Sequence, residues 1–365
     1  ELTCLALNTS KHSYPVDRIP EFLTNRIRFH GVPCDSSIRI PALLANLLFS
    51  GEPYIAERFH IPAFRRALEA RLGKESFDVV QLEGPYMGPY LDVVRAHSKA
   101  LVSFRAHNVE HLIWKRKAAN ERSPWKLWYF HVLSQRLDRF EMKMIFRSDC
   151  LVTISPLDEA YFRERGVGLP GITLPAGLRI DDYPETGLPA HPSLCFIGAL
   201  DWLPNQEGLK WFLDHVWDSL LAGVPDLEFH VAGRNAPPGF ERLLERDRVT
   251  YHGEVEDARA FMQRYRIMVA PLFTGSGIRV KILEAMALSR PVVTTPVGIE
   301  GIPARHGEEV LISPTADGFR EQVLRLIADE RLAKTLAGAG RKLIREKFDT
   351  LGLSTRLSRF YKEQV

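Results

Sequence analysis

The sequence has no apolar run long enough to cross a bilayer. Its longest, Ile40 to Phe49, is ten residues with an Asn inside, where a spanning helix needs about 20. No secretory leader is visible at the start. Cysteine is scarce: four residues, Cys4, Cys34, Cys150 and Cys195, with no CxxC pair and no Cys/His spacing of the zinc-binding kind. Cys4, Cys150 and Cys195 lie in apolar, strand-like runs. All four therefore read as reduced thiols of a cytosolic protein. Charge of one sign is also lacking. A net charge of +3 and a pI near 8.6 give no case for a nucleic-acid partner. There is no low-complexity tract and no short-period repeat. What remains is 365 residues with 45% hydrophobic and 25% charged side chains, enough for two domains with sizeable cores. The chain opens "ELTCLALNTSKH", directly in a strand and without Met. The expectation is that it starts inside a longer natural sequence.

Strand-like runs alternate with helical patterns along the whole length, which predicts an α/β protein with parallel sheets. The first half offers "LTCLALN", "RIRFHGV", "DVVQLEG", "ALVSFRAHN", "DCLVTIS" and "GITLPAG" as strands. Helical patterns lie at Pro41–Leu48, Ala63–Leu72, Tyr90–His97, Pro124–Arg147 and Pro156–Arg165. "PETGLPAHPS", after Tyr183, reads as a linker. The alternation then restarts with "SLCFIGAL", "LEFHVAG", "VTYHGEV", "IMVAPLF", "PVVTTPV" and "EVLIS". The predicted division is 1–184 as a first domain, 185–191 as linker, 192–347 as a second domain and 348–365 as a C-terminal helix returning toward the first. Two such halves are expected to face a central cleft, with the ligand near the C-terminal ends of the strands.

The chemistry concentrates in "FTGSGIRVKILEAMALSRPVVTTPVGIEGI", Phe273 to Ile302. A Gly-flanked loop leads into a helix, and such loops and helix N-termini bind anions. Yet the first turn carries Arg279 and Lys281, cations at the positive end of the helix dipole. A bound diphosphate would make both favourable; two solvated cations covering apolar surface would equally fit the spacing. Glu284 stands alone in the apolar run "ILEAMAL". It is either a solvated helix carboxylate or one aimed inward, able to accept both hydroxyls of a ribose.

This segment resembles the donor site of retaining GT-B glycosyltransferases, family four, glycosyl transferases group 1. The likeness extends to "CFIGALDWLPNQEGLKWF", "HVAGRN", "YHGEVEDARAFM" and "FRAHNVEH", and is greatest to bacterial polysaccharide-type sugar transferases that carry "LNTSKH" near the start. The resemblance implies a GT-B fold, two Rossmann-like domains. It also implies transfer of a sugar from a UDP- or GDP-sugar to a glycan or lipid-linked acceptor, with retention. By the same resemblance Glu284 holds the ribose, and Arg279 and Lys281 meet the diphosphate. Gly253, Glu254 and Val255 read the base, and Gly198 opens the phosphate-side loop. Gly233 and Arg234 end a strand beside the donor, and Ser276, Gly277 and Ile278 belong to the donor loop. His107 reaches the transferred sugar and the reacting centre. Asn108, Glu110 and Glu300 are candidates for the acceptor side or the sugar.

Two departures from the pattern stand out. The first Glu of the family's paired motif, eight residues before Glu284, is here Ser276. The family's N-terminal strand and Gly-rich loop are missing, so the chain begins at what would be the second strand. No metal site and no cofactor are expected. "RIDDY" (Asp181, Asp182) looks like a metal-binding DxD motif but sits at the linker. Trp114–Arg147 holds nine basic and three acidic residues interleaved with aromatics. It fits either a membrane-surface helix or an amphipathic helix with its aromatic face in the core. The overall expectation is a cytoplasmic transferase, extended to the inner face of the membrane through 114–147. Two other classes stay open: a nucleotide-sugar epimerase or phosphorylase on the same fold, with Glu110 and Glu300 as acid/base candidates, and a non-catalytic nucleotide-sugar-binding protein.

Overall fold

The computed structural model describes every residue except Lys11, His12, Asn120, Arg122 and Ser276. The chain divides into two units, Glu1–Leu174 with Ser358–Val365, and Pro175–Leu357. The first unit carries strands β1 (Leu2–Thr9), β2 (Ile27–Cys34), β3 (Val79–Glu83), β4 (Leu101–Ala106), β5 (Cys150–Thr153) and β6 (Gly171–Thr173). Its helices are α1 (Glu21–Thr24), α2 (Ile40–Phe49), α3 (Tyr54–Glu57), α4 (Pro62–Leu72), α5 (Leu91–His97), α6 (Glu110–Ala119), α7 (Pro124–Phe146) and α8 (Pro156–Glu164). All strand pairs are parallel. They form a two-stranded sheet, β1-β2, and a four-stranded sheet in the order β3-β4-β5-β6. The core gathers Val102, Phe104 and Leu151 of the larger sheet with Leu137, Phe140 and Ile145 of α7.

The second unit carries β7 (Ser193–Ile197), β8 (Glu228–Ala232), β9 (Val249–Tyr251), β10 (Ile267–Ala270), β11 (Val292–Thr294) and β12 (Leu311–Ile312). Its helices are α9 (Leu203–Phe212), α10 (Asp218–Gly223), α11 (Ala258–Gln263), α12 (Val280–Ala287), α13 (Ala316–Ala328) and α14 (Glu330–Lys347). Helix α15 (Thr350–Gln364) begins in this unit. The six strands form one parallel sheet in the order β12-β11-β10-β7-β8-β9. Buried residues cover both of its faces in two clusters, one around Met268, Ile282 and Met286 and one around Phe196, Phe212 and Trp217. Burial on both faces is why "SLCFI" and "IMVA" read as continuous apolar runs rather than alternating ones. Strand order reverses between β7 and β10, so the loops after these two strands diverge and leave a crevice at their carboxyl ends.

The dividing line differs from the expected one. Residues 175–184, assigned to the first domain, and the expected linker 185–191 both belong to the second unit. Specific hydrogen bonds hold them there. The Leu178 N–H donates to Phe348 O at 2.7 Å, and Arg341 Nη1 donates to Tyr183 O at 2.7 Å. Arg290 Nη1 donates to Gly187 O at 3.0 Å, and Arg266 Nη1 to Pro189 O at 3.1 Å. Pro, Gly and small residues here mark an extended strap whose carbonyls are capped by buried arginines. Of residues 348–365, only Ser358–Val365 go with the first unit. There Tyr361 Oη donates to Ser103 Oγ at 2.7 Å. The segment Trp114–Arg147, read as one helix, is divided between the end of α6 and α7, and the first half of α6 has no counterpart in the sequence reading. "EHLIWKRKAA" lacks a clean apolar stripe, and its packing on α7 sets its conformation. All four cysteines are free thiols, three of them buried.

Candidate functional site

In the second unit the candidate residues collect on the loops that follow the parallel strands. Gly198 follows β7, and its N–H donates to Ala232 O at 3.1 Å. Gly233 follows β8, and its N–H donates to Gly253 O at 2.8 Å. Three neighbouring loops are thereby tied together. Space explains two of these glycines. A Cβ on Gly233 would lie 2.1 Å from Gly198 O, and one on Gly198 would lie 2.8 Å from Lys281 Nζ. Gly253 has φ +67°, Glu254 is exposed, and Val255 is half-buried against the α12 side of the core. Arg234 is exposed beside Asn235.

Helix α12 starts at the switch point. Arg279 occupies its N-cap position and is only 4% exposed. Its guanidinium donates through Nη1 to Gly277 O and lies 5.9 Å from the centroid of the Trp202 ring. Lys281 is half-buried. Its ammonium donates to Asn205 Oδ1 at 2.6 Å and stands 4.1 Å from the Phe196 ring centroid. Burial, with the Arg279 charge adding to it, pushes the Lys281 ammonium down to about 7. The two cations are therefore inward-facing and mutually repulsive, not a solvated surface pair. Asn205 is itself buried in the first turn of α9, where its Nδ2 donates to Ala199 O at 2.7 Å. The loop 198–202 and the Lys281 ammonium are thus held by one amide.

One turn on, Glu284 is half-buried, and its Oε1 accepts from the Tyr183 hydroxyl at 2.9 Å. Burial raises the Glu284 carboxyl above its ordinary range, against the pull of the Tyr183 hydrogen bond and the Arg259 charge. Burial and the Glu284 charge likewise raise the Tyr183 phenol. Arg259 lies over the Tyr183 ring at 5.8 Å. Gly277 has φ +82°, and Ile278 packs against the same core cluster. Ser276 lies outside the described residues. Glu300 is exposed in the turn after β11. It belongs to the second unit, whereas Asn108 and Glu110 belong to the first.

In the first unit, His107 follows β4 and is exposed. Register pairs Glu83, the last residue of β3, with Arg105. Glu83 Oε2 thereby sits 2.7 Å from His107 Nε2, and Arg105 Nη1 lies 3.6 Å from Oε1. Burial pushes the Glu83 carboxyl up, but the His107 hydrogen bond and the Arg105 charge outweigh it and hold the group below its ordinary range. Glu110 opens α6. Its Oε2 accepts from Tyr86 Oη at 2.9 Å, and its N–H donates to Glu141 Oε1 at 3.1 Å. Burial raises the Glu110 carboxyl, with the Glu141 charge adding to it. Asn108 is half-buried and hydrogen-bonded to the Glu110 side chain. Glu141 is fully buried and lies 2.7 Å from His111 Nδ1. Among the described residues no three His, Cys, Asp or Glu side chains gather as a metal site. Asp182 instead meets Arg179 at 3.4 Å.

Residues 191–329 match the family described as glycosyl transferases group 1. Within the second unit, these residues form the group 1 domain. The chain is 27% identical over 299 residues to a Klebsiella pneumoniae protein described as an uncharacterized 44.6 kDa protein in the cps region, covering 78% of this chain and 74% of that one. It is 22% identical over 230 residues to a phosphatidyl-myo-inositol mannosyltransferase of Mycobacterium leprae, 58% of each chain. Its structure is similar to that of Anabaena HepE in complex with UDP, with a TM-score of 0.65 at 13% identity, covering 91% of this chain and 92% of HepE. The fold is GT-B.

Within the second unit, sequence reasoning missed Asn205, Trp202 and Tyr183. Asn205 and Trp202 lie in "DWLPNQE", and a polar Asn directly after a helix-starting Pro was the available signal. Tyr183 had none, because 101 residues separate it from Glu284. In the first unit Glu83 was missed; only the β3–β4 register brings it to His107.

Proposed function

We propose that the chain transfers a sugar from a nucleotide-diphospho-sugar to a glycan or lipid-linked acceptor, with retention of anomeric configuration. The observation that carries this reading is the inward-facing Arg279–Lys281 pair beside Asn205 at the switch point. Two inward cations repel each other, and a bound diphosphate would offset that repulsion. Glu284, oriented by Tyr183, accepts the ribose hydroxyls, and the loops of Gly198, Gly233 and Gly253 line the nucleotide. Gly277 and Ile278 carry the donor loop. UDP is favoured over GDP because HepE, of the same fold, binds UDP.

In this mechanism the bond from the anomeric carbon to the β-phosphate oxygen breaks. Arg279 and Lys281 stabilise the charge that grows on that oxygen. The departing phosphate oxygen takes the proton of the acceptor hydroxyl on the same face, and the new glycosidic bond forms there. His107, held by Glu83, supports the transferred sugar; Asn108, Glu110 and Glu300 are further contacts for the sugar or acceptor. The leaving charge is met by side chains, so the reaction runs without a metal ion. The reading includes a cytoplasmic site of action, with a membrane contact through 114–147. The relative named as a phosphatidyl-myo-inositol mannosyltransferase supports a lipid-linked acceptor.

The test is a panel of UDP- and GDP-sugars offered with lipid-linked and free glycan acceptors. Nucleotide diphosphate release is followed, and the anomeric configuration of the product is read by NMR. Release with inversion would sink retention. Saturable binding of the donors without release or epimerisation would favour a binding protein, and a changed sugar on the recovered donor would favour an epimerase.

A further inference from the structure

Helix α2 is built inside out. Nine of its ten residues, "IPALLANLLF", are apolar, and its one buried residue is Asn46. A helix on a globular surface turns its apolar stripe to the core and its polar side to water. Here Asn46 points inward, with Nδ2 donating to Glu52 O at 3.1 Å and to the Glu57 carboxylate. Ile40, Leu44, Leu48 and Phe49 face outward, Leu48 at 74% and Phe49 at 88% exposure. Arg136 of α7 fastens the helix. Its Nη1 donates to Asn46 O at 3.2 Å and its Nη2 to Leu47 O at 2.8 Å. The inverted orientation is therefore fixed by hydrogen bonds on the inner side.

The side of α7 that carries α2 also exposes apolar residues further along the helix. Trp125 lies eleven residues before Arg136. At roughly 100° per residue that is three turns, so the two share a face. Trp125 is 82% exposed, and Leu127 and Trp128 beside it are exposed too. Around this end stand the exposed cations Lys115, Arg116 and Lys117 of α6 and Lys126 of α7. The patch thus joins an apolar helix, two indoles and a cluster of positive charge. Ten residues span about 15 Å, half a hydrocarbon core, so such a helix lies in a bilayer surface and does not cross it. Indoles sit at the headgroup level, and cations meet anionic headgroups.

We propose that α2, with Trp125 and Trp128, is the surface by which this protein inserts into the interface of an anionic lipid bilayer. The inference rests on the membrane contact through 114–147 and moves its apolar part to α2. The charge argues for lipid as occupant, because a second copy would bring the same cations against themselves.

The experiment is co-sedimentation of the whole chain with vesicles of phosphatidylcholine alone, and of phosphatidylcholine with roughly one-third phosphatidylglycerol. The expected result is binding to the anionic vesicles only, with the Trp emission shifted to the blue and quenched by brominated lipid. Leu48→Glu with Phe49→Glu should cut binding at least about tenfold, since both side chains lose their place in the apolar phase. Lys115→Glu with Lys126→Glu should do the same at low salt. Thermal melts and UDP titrations report folding, and both variants should match the parent, since neither touches the group 1 domain. Parent-like vesicle binding by the α2 variant overturns the proposal while leaving the 114–147 contact standing. Absence of parent binding to anionic vesicles overturns both. A parent that self-associates without lipid, and becomes monomeric on the α2 change, makes the face a contact between copies and also overturns it. None of these outcomes depends on sugar transfer.

Discussion

Lys281 Nζ donates to Asn205 Oδ1 at 2.6 Å, joining the first turn of α12 to the first turn of α9 at the point where strand order reverses. Asn205 is neutral, so it positions the ammonium without neutralising it. The charge is left for a ligand, and the first two predictions follow from this.

Lys281→Met should leave the free protein as stable or more so at neutral pH, because it removes a half-buried cation that repels Arg279. Affinity for UDP should fall by a factor of about ten to a hundred, the loss of one charge-assisted contact of about 1.5–3 kcal/mol. Uridine should bind both proteins alike. Thermal melts paired with titrations of uridine and UDP test this. A less stable variant with unchanged UDP affinity would make Lys281 a structural residue.

Binding of UDP near pH 7 to 8 should take up as much as about one proton. The Lys281 ammonium is pushed down to about 7 by burial and Arg279, and a diphosphate drives it back up. The sign for the free protein is also fixed. Between about 7 and the ordinary value of 10.5 the unfolded chain holds more protons, so stability rises with pH in that window. Calorimetric titration in buffers of different ionisation enthalpy reads the proton count. A binding enthalpy that does not vary with buffer would refute the linkage.

Glu284→Ala should weaken UDP binding by about 1.5–3 kcal/mol and Tyr183→Phe by about 0.5–1.5 kcal/mol. Tyr183 acts through Glu284, so the double variant should be no weaker than Glu284→Ala alone. Additive losses would show that Tyr183 touches the nucleotide independently.

His107→Ala should lower kcat by about a hundredfold and leave UDP affinity intact, because it supports the sugar and not the nucleotide. Glu83→Gln should lower kcat in the same direction by less, and add nothing once His107 is gone. A fall in UDP affinity matching the fall in kcat would place His107 in the nucleotide pocket.

Exhaustive treatment with a chelator should leave turnover unchanged, since Arg279 and Lys281 supply the positive charge. Loss of activity that Mg²⁺ or Mn²⁺ restores would show that a metal shares that work.

Local sequence determined the α/β alternation, the parallel strands and the helix that carries Lys281 and Glu284. Each is written in periodicity, in Pro and Gly punctuation and in continuous apolar runs, all properties of neighbouring residues. It also placed Arg279 and Lys281 at the start of that helix and Glu284 about one turn on. Whether those cations were solvated or buried could not be read there, because burial depends on α9 and on the loop after β7. Tertiary structure alone decided that Asn205 holds Lys281, that Tyr183 holds Glu284 and that Glu83 meets His107. Each pair is set by strand register or by contacts across many tens of residues. The strap from Pro175 to His191 shows the same limit. Its composition is that of a free linker, yet Arg341 of α14 and Arg266 and Arg290 from the turns before β10 and β11 reach it. Helix α2 is the clearest case. Its apolar sequence predicted a helix, and only the hydrogen bonds of Asn46 and Arg136 turned the apolar side outward.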